Sequence, residues 1–304
     1  MAIVSVENLK MSYDKGKVQA LKGVSFDVVE GEIFGLIGPD GAGKTSLFRI
    51  LTTLLLADSG TAVVDGMDVM KDYKKIRHHI GYMPGRFSLY PDLTVEENLS
   101  FFATVFNTTI EENYHLVEDI YRQIEPFKKR KAGKLSGGMK QKLALSCALI
   151  HAPHVLFLDE PTTGVDPVSR KEFWEMLHKL KNNFRLSIVV STPYMDEALQ
   201  CDRIALIQDG KFLTIDTPDG IIKSYTHTLW SVRSDNMHRL LTDLRSINGV
   251  RTAFAFGENH HATIDTSVLT VESLREKLAE LGHNSIVIAV IEPTIEDCFM
   301  NFQE

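Results

Sequence analysis

Cysteine is scarce: Cys147, Cys201 and Cys298 are the only three among 304 residues. Their scattered spacing fits neither a disulfide framework nor a zinc site, and suits buried thiols in a reducing compartment. No stretch of 18 apolar residues occurs, so the chain is not expected to span a membrane by itself. Positive charge is in deficit, with 33 Lys and Arg against 40 Asp and Glu and a formal net charge of -7. That balance argues against broad binding to nucleic acid or to an anionic membrane. The opening residues MAIVSVENLK lack the basic segment and apolar run of an export leader. Hydrophobic residues make up 44% of the chain and charged residues 24%, the balance of a globular protein of one large domain or two smaller ones.

Glu32–Thr53 reads EIFGLIGPDGAGKTSLFRILTT. An apolar run, Ile33 to Ile37, leads into Gly38, Pro39, Asp40, Gly41, Ala42, Gly43, Lys44, Thr45 and Ser46, and a helical pattern follows. Strand, glycine-rich loop and helix around G-x-x-x-x-G-K-T is the phosphate-binding P-loop in its required setting. Glycines let successive N–H groups turn toward phosphate oxygens, and the helix offers its positive N-terminal end. Lys44 is expected on the β- and γ-phosphates of a nucleoside triphosphate, and the Thr45 hydroxyl on Mg²⁺.

Upstream, Ile3–Glu7 and Val24–Val29 read as strands, with Tyr13 alone in the polar stretch between them. Tyr13 is either a half-buried anchor or a platform for a stacked base. Downstream, Thr61–Val64 and Ile80–Tyr82 are short strands, and Thr94 to Glu97 forms a capping box ahead of a helix through Phe106. Residues 95–150 keep helical periodicity, so a helical insertion interrupts the α/β pattern. Within it, Lys128–Lys131 reads as a solvated basic loop. Ser136, Gly137 and Gly138 open a further helix, with Ser136 as cap and its N-terminus exposed to an anion. Val155–Leu158 is a buried strand delivering Asp159 and Glu160 to a sheet edge, where Asp159 suits Mg²⁺ and Glu160 a base toward water. Asp166 reads locally as an N-cap, with Pro167 at the first helical position. Asp209-Gly210 between Arg203–Ile207 and Lys211–Ile215 is a hairpin signature, and Thr217-Pro218 starts a short helix.

GPDGAGKT, LSGGMKQ, VLFLDEP and Gly164-Val165-Asp166-Pro167, in that order, resemble the nucleotide-binding domain of ATP-binding-cassette (ABC) proteins over roughly residues 3–222. The resemblance implies an α/β P-loop NTPase cassette over 1–223, with the helical insertion at about 95–150. It also implies ATP and Mg²⁺ as cofactors, Tyr13 stacked on adenine, and a head-to-tail dimer. In that dimer each ATP lies between the P-loop of one subunit and Ser136, Gly137, Gly138 and Asp166 of the other. Two positions depart from the family pattern: Gly85 stands where the family has Gln, and Pro193 where it has His. Loss of one donor aimed at developing charge costs about 10²–10³ in kcat, so turnover is expected to suffer more than binding. Arg86, beside Gly85, is one candidate to replace the missing contact.

Residues 226–304 read as β-α-β-β-α-β, the ferredoxin-like α+β arrangement, closed by a last helix at Ile295–Phe302. His260 and His261 are neighbours on a strand and face opposite ways, so they are read as ordinary surface histidines rather than a metal pair. Glu292–Phe299, EPTIEDCF, resembles the ending of ATPase subunits of ABC-2-type exporters, drug and antibiotic-resistance exporters among them. That resemblance implies an ATP-hydrolysing exporter subunit, with separate permease chains and a second ATP-binding subunit, in a homodimer or a heterodimer, as partners and no nucleic acid. It places the chain in the cytoplasm, on the inner face of the membrane through the permease, with residues 85–93 contributing to the groove that receives it. The alternatives are a slow ATP-binding switch, motivated by Gly85 and Pro193, and a soluble non-transport ABC ATPase. The last generally needs a heptad-repeat arm or a second cassette, and the chain has neither.

Overall fold

The computed structural model describes residues 1–302; the last two positions of the expected C-terminal domain lie outside the described residues. The chain divides into two compact units, Met1–Pro218 and the residues from Asp219 onward.

Unit one opens with β1 (Ala2–Tyr13) and β2 (Val18–Val29). Both are longer than the sequence pattern indicates. Asn8 takes a left-handed φ of 46°, and the pairing register shifts between Val6 and Leu9, so the apolar alternation breaks where the strand continues. Next come β3 (Ile33–Ile37), α1 (Lys44–Leu51), β4 (Ser59–Val64), β5 (Met67–Asp68), α2 (Tyr73–His79) and β6 (Ile80–Met83). Three helices follow, α3 (Val95–Val105), α4 (Ile110–Tyr121) and α5 (Gly137–Leu149). The unit then continues through β7 (Val155–Asp159), α6 (Pro167–Phe184), β8 (Ser187–Thr192), β9 (Arg203–Gln208) and β10 (Lys211–Asp216). Helix α7 (Pro218–Lys223) spans the division between units.

Two sheets result. One is antiparallel in the order β2-β1-β4-β5; the other runs β10-β9-β3-β8-β7-β6. The second is parallel except at its edge, where β10 returns antiparallel to β9 through the Asp209-Gly210 turn, with φ of 48° and 75°. Strands β3, β7 and β8 are buried at every position, as strands covered on both faces must be. Phe26 of one sheet stacks on Phe34 of the other at 5.3 Å, and Phe48 of α1 meets Phe157 of β7 edge-on at 5.8 Å. This core fixes the C-terminal ends of β3 and β7 beside the start of α1.

The helical insertion begins with the expected capping box, Thr94 and Glu97 bonding each other's backbone N–H. Fully buried Asn98 ties the preceding loop to α3: its Oδ1 accepts from Tyr90 N at 3.0 Å, and its Nδ2 donates to the Tyr90 and Thr94 carbonyls.

Unit two contains β11 (Thr228–Arg233), α8 (Met237–Ser246), β12 (Val250–Phe256), β13 (Asn259–Ile264), α9 (Val271–Glu280), β14 (Val287–Ile291) and α10 (Ile295–Asn301). Its sheet is antiparallel in the order β12-β13-β11-β14, the ferredoxin-like arrangement. Trp230, Val232, Leu240, Leu244, Leu274 and Leu278 pack its core. The histidine pair differs from the surface reading. His260 is buried against the Met237 carbonyl at 2.6 Å, while His261 meets Asp297 at 2.7 Å and stacks on Phe256. Strand alternation does send the two rings to opposite faces, but partners from α8 and α10 wait on both.

Candidate functional site

The loop from Gly38 to Gly43 is shaped by backbone that admits no side chain at two points. A Cβ on Gly38 would lie 2.1 Å from the Ile207 carbonyl. Gly43 has a φ of +107°, and a Cβ there would meet the Ala20 carbonyl at 2.4 Å. Backbone bonds from Gly38 N to Thr192 O and from Gly210 N to Ala42 O anchor the loop to the ends of β8 and β9. Gly43 caps α1 without a side-chain bond, leaving the N-terminal N–H groups of that helix directed into the loop.

Lys44 is buried, and its ammonium donates to the Gly38 and Pro39 carbonyls at 2.8 and 3.0 Å. The same nitrogen lies 3.3 Å from Glu160 Oε1. The Thr45 hydroxyl donates to Asp159 Oδ1 at 3.2 Å. Tyr13 is half-exposed at the end of β1, with its hydroxyl 3.0 Å from Ser46 Oγ. Tyr13, Gly41, Lys44, Thr45 and Glu160 share one pocket of about 290 Å³. Asp159 is buried, and Glu160 leaves β7 at a φ of 50°, a left-handed conformation uncommon for a non-glycine residue. Burial, and then the Asp159 charge, push the neighbouring Tyr82 phenol up to about 12.

The structure gathers the P-loop residues, Tyr13, Asp159 and Glu160. It does not bring Ser136, Gly137, Gly138 or Asp166 into that pocket. Those four lie instead at the starts of two helices, α5 and α6. Ser136 caps α5 by accepting from Met139 N at 3.4 Å, and Asp166 caps α6 by accepting from Ser169 N at 3.0 Å. A Cβ on Gly138 would sit 2.7 Å from Ser169 Oγ, so the two helix starts pack closely. The Ser169 backbone and side chain hold the Asp166 carboxyl below its ordinary range.

Gly85 stands against the end of β7: a Cβ there would lie 3.0 Å from the Asp159 carbonyl. Pro193 directly follows Thr192, whose carbonyl accepts from Gly38 N. Arg86 lines a different cavity, an apolar groove of about 310 Å³ with Phe87, Leu89, Phe102 and Phe106, so the candidate substitute donor is not in the P-loop pocket.

Two supports were not read from sequence. Ser191 Oγ donates to Asp159 Oδ1 at 2.6 Å, and its carbonyl accepts from Glu160 N at 3.0 Å. Buried Glu197 accepts from Thr162 and Thr192, each at 2.6 Å, joining the loop after Glu160 to the loop after β8. Only the parallel pairing of β7 and β8 reveals the first, and no local motif marks the second.

The family model described as ABC transporter matches residues 21–163. Over 221 residues the chain is 42% identical to the "Probable multidrug ABC transporter ATP-binding protein YbhF" of Escherichia coli, covering 71% of this chain but only 38% of that protein. It is 29% identical over 318 residues to the "Linearmycin resistance ATP-binding protein LnrL" of Bacillus subtilis, covering 98% and 97% of the two chains. To the "Nod factor export ATP-binding protein I" of Burkholderia orbicola it is 37% identical over 227 residues, 74% of each. Among solved structures, the ATP-binding cassette MJ0796 in a dimeric post-hydrolysis state bound to ADP and Pi superposes with a TM-score of 0.64 at 27% identity, covering 70% of this chain and 98% of that one. A P-loop whose lysine, threonine and two acidic neighbours converge as described, in a chain with such relatives, is decisive: the protein belongs to the ABC transporter family.

Proposed function

We propose that the chain binds and hydrolyses Mg-ATP as one of a pair of ATP-binding subunits that power an ABC-2-type exporter. The observation that carries the proposal is the convergence of Lys44, Thr45, Asp159 and Glu160 at one end of the parallel sheet, with Lys44 Nζ 3.3 Å from Glu160 and Thr45 Oγ1 3.2 Å from Asp159. A hydroxyl and a carboxylate this close, on a rigid strand and a helix start, fit a hard divalent cation. Thr45 and Asp159 would hold Mg²⁺, which would offset charge on the phosphate oxygens. Lys44 and the α1 N-terminus bind the phosphates, and Glu160 accepts the proton of the attacking water. Ser191 holds Asp159 from behind and fixes the Glu160 backbone, so both carboxylates are set before nucleotide arrives.

Ser136, Gly137, Gly138 and Asp166 form a second helix-start surface away from the P-loop pocket of their own chain. In a head-to-tail pair that surface would close the pocket of the other subunit. ATP then joins the two, and its hydrolysis releases them. The groove lined by Phe87, Leu89, Phe102 and Phe106 would receive a permease segment. Among the described residues no helix is long and apolar enough to cross a membrane. The export role draws on the relatives' names and on EPTIEDCF near the C-terminus. The working position is the inner face of the cell membrane.

A slower reading rests on Gly85 and Pro193, neither of which offers a side-chain donor beside Asp159 and the P-loop. In that case ATP closes the pair and turnover is weak. Lys44→Ala tests the nucleotide assignment. Loss of ATP binding by equilibrium titration is expected, and unchanged affinity would overturn it.

A further inference from the structure

Away from the P-loop, three side chains of metal-ligating type converge on one point. Asp65 Oδ2 accepts from His79 Nδ1 at 2.6 Å and from His154 Nδ1 at 2.8 Å. The two rings lie edge to face, with centroids 4.9 Å apart. All three ligand atoms fall within 4.8 Å of one another. The backbone organises this meeting. Asp65 sits in a left-handed turn, φ 50°, between β4 and β5, and its N–H donates to the Ile3 carbonyl. His79 ends α2, and His154 precedes β7; the His154 N–H donates to the His79 carbonyl at 2.8 Å.

We propose that Asp65, His79 and His154 form a binding site for a divalent transition metal, zinc above all, that clasps the antiparallel sheet to the parallel sheet of unit one. Two imidazoles and a carboxylate are a donor set that zinc takes in preference to Mg²⁺ or Ca²⁺. Tetrahedral ligands at about 2.0–2.2 Å from zinc stand roughly 3.3 Å apart. The present separations of 2.6 and 2.8 Å therefore need to open by only about half an ångström. Metal binding requires each ring to carry its proton on Nε2, so that the Nδ1 lone pairs face the ion. Asp65 and His154 also line an open surface cavity of about 650 Å³, leaving water access for the fourth ligand. The three ligands belong to the β4–β5 turn, the α2–β6 junction and the approach to β7, the last of them 89 residues beyond Asp65. Metal bound there resists separation of the two sheets, and the site does not depend on the nucleotide chemistry.

The test is calorimetric titration of the full chain with zinc chloride under a millimolar excess of Mg²⁺, which occupies the oxygen-ligand P-loop site. We expect one zinc per chain at micromolar affinity, weakened at least about tenfold in Asp65→Asn and in His79→Gln/His154→Gln. Asn tolerates the left-handed turn, so the Asp65 variant keeps its backbone. Saturating zinc should raise the Tm of the wild type by roughly 5 °C and leave the double variant unmoved. Copper(II) substituted at the site should show an electron paramagnetic resonance spectrum with coupling to two imidazole nitrogens in the wild type only. Zinc binding equal in the wild type and the double variant, or no binding below roughly 100 µM, would overturn the proposal.

Discussion

The Thr45 hydroxyl lies 3.2 Å from the Asp159 carboxylate, although 114 residues separate them in the chain. One stands on the first turn of α1 and the other at the last position of β7, and the packing of Phe48 on Phe157 holds that helix to that strand. If this pair holds Mg²⁺, Thr45→Ala should weaken Mg-ATP binding by roughly tenfold or more while leaving magnesium-free nucleotide affinity nearly unchanged. Titration with and without Mg²⁺ separates the two. An equal loss in both conditions would mean that Thr45 serves the loop rather than the metal.

Pro193 gives a kinetic prediction. It follows Thr192, which is bonded to the first glycine of the P-loop, so a donor at 193 would stand beside the phosphates. Pro193→His should raise kcat, by up to about 10²-fold, with little change in ATP affinity, because such a donor acts chiefly in the transition state. Pro193→Ala controls for release of the fixed backbone. Equal rates in all three proteins would mean that the enzyme draws this contact from elsewhere.

Glu197 links the loops on either side of the site through Thr162 and Thr192. Glu197→Ala strips both buried hydroxyls of their acceptor and should cost about 2–4 kcal/mol in denaturant unfolding. Turnover should fall as well, since the post-β8 loop carries Pro193. A variant as stable as the wild type would show that the hydroxyls find other partners.

Burial pushes the His151 imidazole down to about 4, its Nε2 donating to the Ile80 carbonyl and its ring stacked on Phe106. In the unfolded chain the same ring takes a proton near pH 6.5. Between these values the unfolded state holds more protons, so stability is full above about pH 6.5 and falls as pH drops toward 4. The loss is on the order of 3 kcal/mol at its limit. Tm of the wild type should therefore drop more steeply with acid than that of His151→Gln. Parallel curves would contradict the shift.

Much of this was legible in sequence because the chemistry is contiguous. IFGLIGPDGAGKT and VLFLDEP each pack a strand, its ending and the functional side chains into one run, so strand, loop and helix follow from local pattern. The ferredoxin-like order in unit two was equally visible, each strand bounded by turns. What escaped depends on partners far along the chain. Ser191 matters only because β8 lies beside β7, and Glu197 only because two threonines, one after β7 and one at the end of β8, reach it. His260 read as a surface residue because alternation assigns a face but cannot say that a helix covers it. The Asp65 cluster escaped for the same reason, its three members being contributed by separate segments.

The central claim is that ATP joins two of these chains and that Glu160 ends the joined state. Glu160→Gln removes the proposed proton acceptor while keeping the side chain's shape beside Lys44, 3.3 Å away in the native protein. The direct measurement is the molar mass of this variant by light scattering after gel filtration with Mg-ATP, alongside its rate of phosphate release. The account predicts a dimer holding two ATP and releasing almost no phosphate, with monomer when nucleotide is omitted. A variant that stays monomeric with Mg-ATP and turns over at the wild-type rate would contradict it.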